Sequence, residues 1–304
     1  MELRHIKYFI AVAEELNFTR AAARLGIGQP PLSQQIKDLE AKLGVLLLRR
    51  VPHGAELTEP GKAFLQEGRR VLAAAEKAAT AARRAARGES GRLRLGFTGS
   101  AHFNAVVPLI VRNFRRRYPD VDLQIEEANT HQLSELMTLG TLDVVFSRYD
   151  FAKEPRLSFV SVGAEPLMAV LPSSHRCAQG CAVPLSALAG DDFIVKSPSL
   201  GPVLYSAVVG ACRDAGFEPK MGQETPQLAT VISFVAAELG VSLVPASMQQ
   251  IRADGVVYLP ISDVQAHVTL SLVWRRDEKS LVARHFVSLA KEVSPLSSTG
   301  LGTP

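Results

Sequence analysis

Apolar and polar positions at the start of the chain follow the period of short helices. Apolar residues three or four positions apart predict one helix at the N-terminus and a second that Asn17 caps and Gly26 ends. A third helix begins at Pro30 and Pro31, because proline fits a first turn, where its missing N–H removes no hydrogen bond. Two β-prone runs on either side of Gly54 then predict a hairpin. Three helices and a hairpin are the pattern of a winged helix-turn-helix.

An alanine-rich segment from about Glu59 to Arg87 follows the predicted hairpin. Thr58 suits the capping position of a helix there, and at 1.5 Å per residue that helix is about 40 Å long. Small apolar side chains share one stripe of it. A stripe of this kind on so long a helix predicts pairing with the same helix of a second copy, as in a coiled-coil dimer.

From Arg92 the pattern changes to strands alternating with helices, which predicts a mostly parallel sheet. A second set of strands and helices follows, and two α/β lobes with a cleft between them are the simplest packing. The predicted fold is therefore an α+β winged helix-turn-helix, a long linker helix and an α/β two-lobed effector domain that resembles periplasmic binding proteins. The predicted boundaries are residues 1–58 for the winged helix-turn-helix, 59–89 for the linker (dimerisation) helix and 90–304 for the effector-binding domain, with lobe I at about 90–163 and 267–294 and lobe II at about 164–266.

The net charge of +4 is unevenly distributed along the 304 residues. Residues 1–90 contain 15 Lys or Arg against 10 Asp or Glu, whereas residues 91–304 contain 19 against 20. A basic module joined to a neutral one is typical of a protein that binds a polyanion, although a solvated basic surface gives the same count. Charge alone therefore favours a nucleic-acid partner only slightly.

Targeting signals and membrane spans are not predicted. The N-terminus carries Glu2, Glu14 and Glu15 and only a short apolar run, unlike a signal peptide. The most apolar later stretch, residues 231–248, is interrupted by Glu238. We therefore expect a cytoplasmic protein with no membrane partner.

Metal, disulfide and catalytic chemistry also lack a sequence signal. Cys177, Cys181 and Cys212 make an odd number, and no second Cys or His pair accompanies the first two. The chain has no GxSxG, GxxxxGK[ST] or HExxH motif, and no GxGxxG after a strand. We predict no catalytic residue, no metal, no cofactor and no enzyme activity.

The exposed side of the third predicted helix carries short polar side chains. Ser33 and Gln34 near its N-terminus suit base edges in the major groove of double-stranded DNA, while Lys37, Arg49 and Arg50 suit phosphates. A solvated helix face that binds nothing would show the same polar pattern. The preceding turn, the two prolines and the basic hairpin favour DNA binding.

A family resemblance supports that interpretation. The matching residues are Ala21, Ala22, Leu25, Gln29, Pro30, Leu32, Ser33, Ile36, Leu39, Glu40, Leu43, Gly44, Leu48, Arg50, Leu57, Thr58 and Gly61. Together they resemble the N-terminal signature of the LysR-type transcriptional regulators. The rest of the chain is similar to the same family, and most similar to its branch that controls catabolism of benzoate, catechol and chlorocatechol, through MELRHIKYFIAVAEE, QPPLS, GFTGS and SLVPAS.

The resemblance implies a homotetramer, a dimer of dimers joined through linker helices, that binds a promoter dyad site and works with RNA polymerase. It also implies a small inducer held between the two lobes. By the same likeness Arg50 and His53 would contact the DNA backbone or minor groove. The predicted DNA-binding residues are Gln29, Pro30, Pro31, Ser33, Gln34, Lys37, Arg49, Arg50 and His53.

Helix starts in the C-terminal region suggest where an inducer binds. The turn Thr98–Ala101, Thr130 and the turn Gly201–Leu204 could offer hydroxyl and amide donors to a carboxylate. The resemblance points to the same places. Ordinary helix capping would also explain Ser100 and Thr130. Arg148 could face the cleft or pair with Glu165. The predicted effector-binding residues are Thr98, Gly99, Ser100, Thr130, Arg148, Pro202, Val203 and Leu204.

The predicted function is a LysR-type regulator, an activator that responds to an aromatic acid or a muconate-like carboxylate and controls an aromatic-catabolism operon. A LysR-type regulator of another metabolic or stress pathway with a different inducer is the first alternative. A structural DNA-binding protein without a sensing role is the second. The two-lobed region alone would also suit a transport binding protein, but that interpretation needs an export signal and does not explain the winged helix.

Overall fold

The computed structural model describes residues 1–52, 54–148 and 154–294. They form two compact units, Met1–Ala86 and the part of the chain from Arg87 onward. The N-terminal unit contains α1 (Leu3–Glu15), α2 (Phe18–Leu25), α3 (Gln29–Leu43), β1 (Leu48–Val51), β2 (Gly54–Leu57) and α4 (Glu59–Ala86). Helices α1 to α3 and the β1–β2 hairpin form the predicted winged helix-turn-helix.

Local capping explains where these helices begin and end. The Asn17 side chain accepts hydrogen bonds from two N–H groups at the start of α2, and Gly26 ends that helix in the left-handed region at φ 66°. The N–H of Gly61 donates to Thr58 Oγ1 at 3.0 Å, which confirms Thr58 as the cap of α4. Pro30 and Pro31 lie in the first turn of α3.

The core of the N-terminal unit fixes which side of α3 is exposed. Leu32, Ile36 and Leu39 are buried, so Pro31, Gln34 and Lys37 face away from the core. Phe9 of α1 meets Phe64 of α4 edge to face, with ring centroids 5.2 Å apart. The first turns of α4 therefore belong to the same core as the three short helices.

The C-terminal unit is an α/β structure with two large hydrophobic cores and a smaller buried cluster. Its elements are β3 (Ser90–Phe97), α5 (Val106–Arg117), β4 (Asp120–Glu127), α6 (Thr130–Thr138), β5 (Val144–Ser147), β6 (Leu157–Pro172), β7 (Asp192–Lys196), α7 (Pro202–Asp214), β8 (Lys220–Thr225), α8 (Leu228–Ala236), β9 (Ser242–Pro245), β10 (Val256–Pro260), β11 (His267–Arg275) and α9 (Leu281–Val293). Short 3₁₀ turns lie at Ala101–Phe103, Leu185–Leu188 and Ala246–Gln250. One core, here lobe I, packs α5 and α9 on β3, β5 and β11, and the other, lobe II, packs α7 and α8 around β7 and β9.

The main sheet corrects the expectation of mostly parallel pairing. Its strand order is β10-β6-β11-β5-β3-β4, with β9 also paired to β6. Among the described strands, only β3–β4 and β3–β5 are parallel in it, while every pair made by β6 or β11 is antiparallel. The reason is that β6, 16 residues long, runs from lobe I into lobe II and β11 returns beside it. A separate parallel pair, β7–β8, lies in lobe II.

Candidate nucleic-acid interface and effector cleft

The exposed face of α3 carries most of the predicted DNA-binding residues. Pro30, Pro31, Gln34 and Lys37 are exposed, and Ser33 is partly exposed. Gln29 is also partly exposed in the first turn. The structure thus presents this polar face to the outside while Leu32, Ile36 and Leu39 hold the opposite side in the core.

The hairpin contacts this face through one arginine. Arg50 Nη2 donates to Ser33 Oγ at 2.5 Å, and its guanidinium lies over the Phe18 ring, 5.4 Å from the centroid. Because Ser33 Oγ accepts this bond, the hydroxyl proton of Ser33 remains available to donate. Arg49 is exposed, but neighbouring residues of a strand point to opposite faces, so it does not join this cluster. His53 lies outside the described residues.

An acidic neighbour of this face was not predicted. Gln34 Nε2 donates to Asp38 Oδ1 at 2.8 Å, which orients the Gln34 amide. The two residues are four positions apart on one helix, a spacing that places them side by side. That spacing was a readable signal in the sequence.

A cavity of about 580 Å³ lies between lobe I and lobe II, within the range of small-molecule sites. Gly99 and Ser100, two of the predicted effector-binding residues, line it from lobe I. Thr98 and Thr130 are buried nearby but are not part of the wall. Pro202, Val203 and Leu204 form the first turn of α7 outside the wall; the Leu204 side chain is only 5% exposed and packs in the core of lobe II.

Arg148 forms a buried ion pair with Glu165, one of the two roles left open by the sequence. It also donates from Nη1 to Ser100 Oγ at 2.7 Å. Glu165 in turn accepts from Asn104 Nδ2 at 3.2 Å and from the Ser247 N–H at 2.8 Å. Arg148 and Glu165 are 6% and 7% exposed, so the pair lies inside the protein and reaches the cavity wall through Ser100.

Burial and the opposite charge of the partner shift the pKa of each group in this pair in opposite directions. Burial lowers the pKa of Arg148, but the group stays protonated near neutral pH because its ordinary pKa is so high. Burial alone would raise the pKa of Glu165, yet Arg148 and the hydrogen bonds from Ser247 and Asn104 outweigh it and hold that pKa below its usual range. Both groups are therefore charged at neutral pH.

Comparisons with known proteins identify the family of the chain. Residues 3–62 match the family model described as "Bacterial regulatory helix-turn-helix protein, lysR family", and residues 86–295 match "LysR substrate binding domain". The chain belongs to the LysR family of transcriptional regulators. Within the described residues, no helix is long and apolar enough to cross a membrane.

Individual relatives of this LysR-type regulator cover nearly its whole length. The "Uncharacterized HTH-type transcriptional regulator YnfL" of Escherichia coli K12 is 42% identical over 287 residues, 94% of this chain and 96% of the relative. The "Hca operon transcriptional activator HcaR" of the same strain is 34% identical over 292 residues, 96% and 98% of the two chains. The crystal structure of CbnR with its target DNA shares 31% identity at a TM-score of 0.81, covering 96% of this chain and 99% of that one.

These findings make the chain a DNA-binding transcriptional regulator with an effector-binding domain, and its relatives are regulators rather than enzymes. No group of three or more His, Cys, Asp or Glu side chains suited to a metal is present in the part of the chain that the structure describes.

Lobe II of this LysR-type regulator contributes cavity residues that the sequence did not reveal. The cavity is also lined by Lys196 at the end of β7, by Gln227 just before α8, and by Leu228 and Ala229 in the first turn of α8. Burial lowers the pKa of Lys196, Arg148 lowers it further, and Glu127 opposes them. A lysine directly after a run of buried strand residues was the one available signal for this side of the cleft.

Proposed function

We propose that this LysR-type regulator senses a small carboxylate in the cavity between its lobes. The carrying observation is the half-buried Lys196 ammonium, which lines that cavity and forms no hydrogen bond or ion pair with the described residues; Glu127 acts on it only through its charge. Removing a cation from water is unfavourable unless an opposite charge compensates it. A bound carboxylate supplies that charge, and Ser100, on the facing lobe, offers a hydroxyl to another polar group of the ligand.

The proposed assembly is a homotetramer, a dimer of dimers. The last turns of α4 carry exposed alanines, and its 28 residues extend about 42 Å. A helix with an exposed apolar stripe gains stability by pairing with its like in a second copy. Two paired winged helices would then bind the two halves of a promoter dyad site, and a second dimer would bend the flanking DNA.

The proposed regulatory role is activation of an aromatic-catabolism operon together with RNA polymerase. Its support is the resemblance to the benzoate, catechol and chlorocatechol branch, and the likeness to HcaR, which is named as an activator. A ligand shifts the quaternary equilibrium only by its differential affinity for the two arrangements. The Arg148–Glu165 pair, which connects Ser100 in lobe I to Ser247 in lobe II, is the proposed link between cavity and lobe arrangement.

The test for the inducer is a thermal-shift screen of the full chain against aromatic acids, muconates and other small carboxylates. A ligand at 100 times its Kd should add about 2.7 kcal/mol to stability. Stabilisation by aromatic acids or muconates supports the aromatic pathway. Stabilisation by another class alone points to a different pathway, and no stabilisation by any acid contradicts the proposed carboxylate sensing.

The test for the DNA interface compares two substitutions on α3. Ser33→Ala should weaken binding to the chain's own upstream region more than binding to unrelated DNA, because a base contact is lost. Lys37→Ala should weaken both alike and reduce the salt dependence, because a phosphate contact is lost. Unchanged binding by both variants would show that α3 does not read the DNA.

A further inference from the structure

Two charged side chains of opposite sign face the same cavity from opposite lobes. Lys196 ends β7 in lobe II, and Glu127 ends β4 in lobe I. Neither side chain forms a hydrogen bond or an ion pair with any residue in the ranges that the structure describes. The cavity is therefore polarised, with a cation on one wall and a carboxylate on the other that act on each other through their charges but share no hydrogen bond.

The Lys196 stem is held in place by its surroundings. A Cβ added to Gly201 would stand 2.8 Å from Lys196 Cδ and 3.1 Å from Cε, so the glycine leaves the space that the stem fills. The side chain is only partly exposed, and the nearby Arg148 adds a second positive charge. Because Glu165 balances the charge of Arg148, a ligand anion placed at Lys196 is favoured chiefly by Lys196 itself.

The Glu127 carboxylate occupies the opposite wall beside the Gly99–Ser100 turn. A Cβ added to Gly99 would lie 2.6 Å from Glu127 Oε1, so this carboxylate oxygen takes the space of a side chain. A ligand carboxylate on that turn would meet a like charge, which is unfavourable in a partly enclosed site. A ligand hydroxyl or ammonium group there would instead donate to Glu127.

Another part of the lobe I wall suits an apolar group. The rings of His102 and Phe103 both line the cavity, with centroids 4.1 Å apart. Aromatic surface of this kind packs against a ligand's apolar body, while the cavity volume of about 580 Å³ leaves room for one.

We propose that the ligand is a 2-hydroxy or 2-amino acid, with its carboxylate on Lys196, its hydroxyl or ammonium on Glu127, and its side chain against His102 and Phe103. This inference rests on the proposed function, in which a small carboxylate binds in the cavity. It narrows that function, because a dicarboxylate of the muconate type would place its second charge near Glu127.

Matched acids test the inference by calorimetry on the full chain. One series is 3-phenylpropanoate, 3-phenyllactate and phenylalanine, and a shorter one is propanoate, lactate and alanine; within each series only the substituent on C2 changes. We expect the hydroxy or amino acid of at least one series to bind at least tenfold tighter than its unsubstituted parent, the size of one charge-assisted hydrogen bond. A parent acid that binds as tightly as both substituted acids, or no binding by any of the six, overturns the inference.

Two substitutions test which residue binds the carboxylate of the ligand and which binds its hydroxyl or ammonium group. Lys196→Met should weaken binding of every acid at least tenfold, whereas Lys279→Met, at an exposed lysine outside the cavity, should leave it unchanged. Glu127→Gln should reduce the preference for the substituted acid, while Glu126→Gln, on the other face of β4, should not. Full retention of affinity in Lys196→Met, in a variant that unfolds at the wild-type temperature, also overturns the inference.

Different experimental outcomes would refute the proposed sensing function and this assignment of the ligand. Binding to the upstream DNA is measured in the same preparations with and without acid. If a hydroxy or amino acid binds through Lys196 but leaves DNA binding unchanged, the sensing function fails and the ligand assignment stands. If only an unsubstituted acid binds and changes DNA binding, the sensing function stands and the ligand assignment fails.

Discussion

Glu165→Gln should destabilise the C-terminal unit strongly. The carboxylate is the counter-ion of the buried Arg148, and it also accepts from Asn104 and from the Ser247 N–H. Glutamine preserves the shape but removes the negative charge, so Arg148 becomes a buried charge without compensation. Breaking a buried pair in this way costs about 3–5 kcal/mol.

Thermal unfolding of the full chain measures this loss. At roughly 2–4 °C per kcal/mol for a unit of this size, the Tm of the C-terminal unit should fall by about 6–20 °C. The matched control is Glu218→Gln, which removes a carboxylate from an exposed pair with Arg213. That control should leave the Tm essentially unchanged, because solvent already screens the pair.

The reasoning is refuted if Glu165→Gln lowers the Tm no more than Glu218→Gln does. A second variant, Arg148→Met with Glu165→Leu, separates burial of charge from loss of packing. Replacing both partners by apolar residues should recover part of the lost stability, although the Ser247 N–H then lacks its acceptor. A double variant less stable than Glu165→Gln would contradict the assignment of the loss to an uncompensated charge.

Four further outcomes follow from local geometry. Gly61→Ala should destabilise the N-terminal unit by about 1–3 kcal/mol in denaturant unfolding, since its Cβ would stand 2.0 Å from the Leu47 carbonyl oxygen. By contrast, Gly210→Ala within α7 has open space and should stabilise by about 0.5–1 kcal/mol; a loss would contradict the helix assignment. Burial alone would raise the pKa of the Asp263 carboxyl, but hydrogen bonds from the N–H groups of Ser186 and Leu185 outweigh burial and lower that pKa. The ionised Asp263 therefore stabilises the folded chain above the pKa of the unfolded state, about 3.9. The stability difference between the wild type and Asp263→Asn should therefore shrink as the pH falls from about 6 to about 3, and a difference that grows would reverse the sign. Burial raises the pKa of the Cys212 thiol to about 12, so a thiol reagent at pH 8 should label the exposed Cys181 first and Cys212 only after unfolding; equal rates would contradict that burial.

The winged helix-turn-helix was predictable because its signals are local. The Asn17 cap, the left-handed turn at Gly26 and the start of α3 at the two prolines each depend on residues within one helical turn. The alternation of buried Leu32 and Ile36 with exposed positions follows from the helical period alone. The fold of this unit is therefore contained in short stretches of sequence.

The pairing of the large sheet was not predictable in the same way. The strand β6 is one continuous element of 16 residues, but its unbroken apolar run covers only residues 167–171. Its neighbours β10, β11 and β9 are all distant in sequence, so their antiparallel register depends on long-range packing. Alternating strands and helices correctly indicated two α/β lobes but gave the wrong pairing direction.

The residues of the cavity were also only partly predictable from the sequence. Gly99 and Ser100 could be predicted because a strand passes into a helical turn there. Lys196 and Glu127 meet only because β7 and β4 end on opposite walls of one cleft. No spacing along the chain relates residue 127 to residue 196, so their shared site required the three-dimensional structure.

The most direct test of the central claim is the bend angle of the upstream DNA, measured by energy transfer between dyes at the two ends of the fragment. The wild-type chain is bound to this DNA and then titrated with the acid that stabilises it most. If the cavity controls the DNA-binding arrangement, the acid should change the bend in the wild type and should fail to do so in Lys196→Met at the same concentration. A bend that does not respond to an acid shown to occupy the cavity would contradict ligand-dependent regulation by this protein.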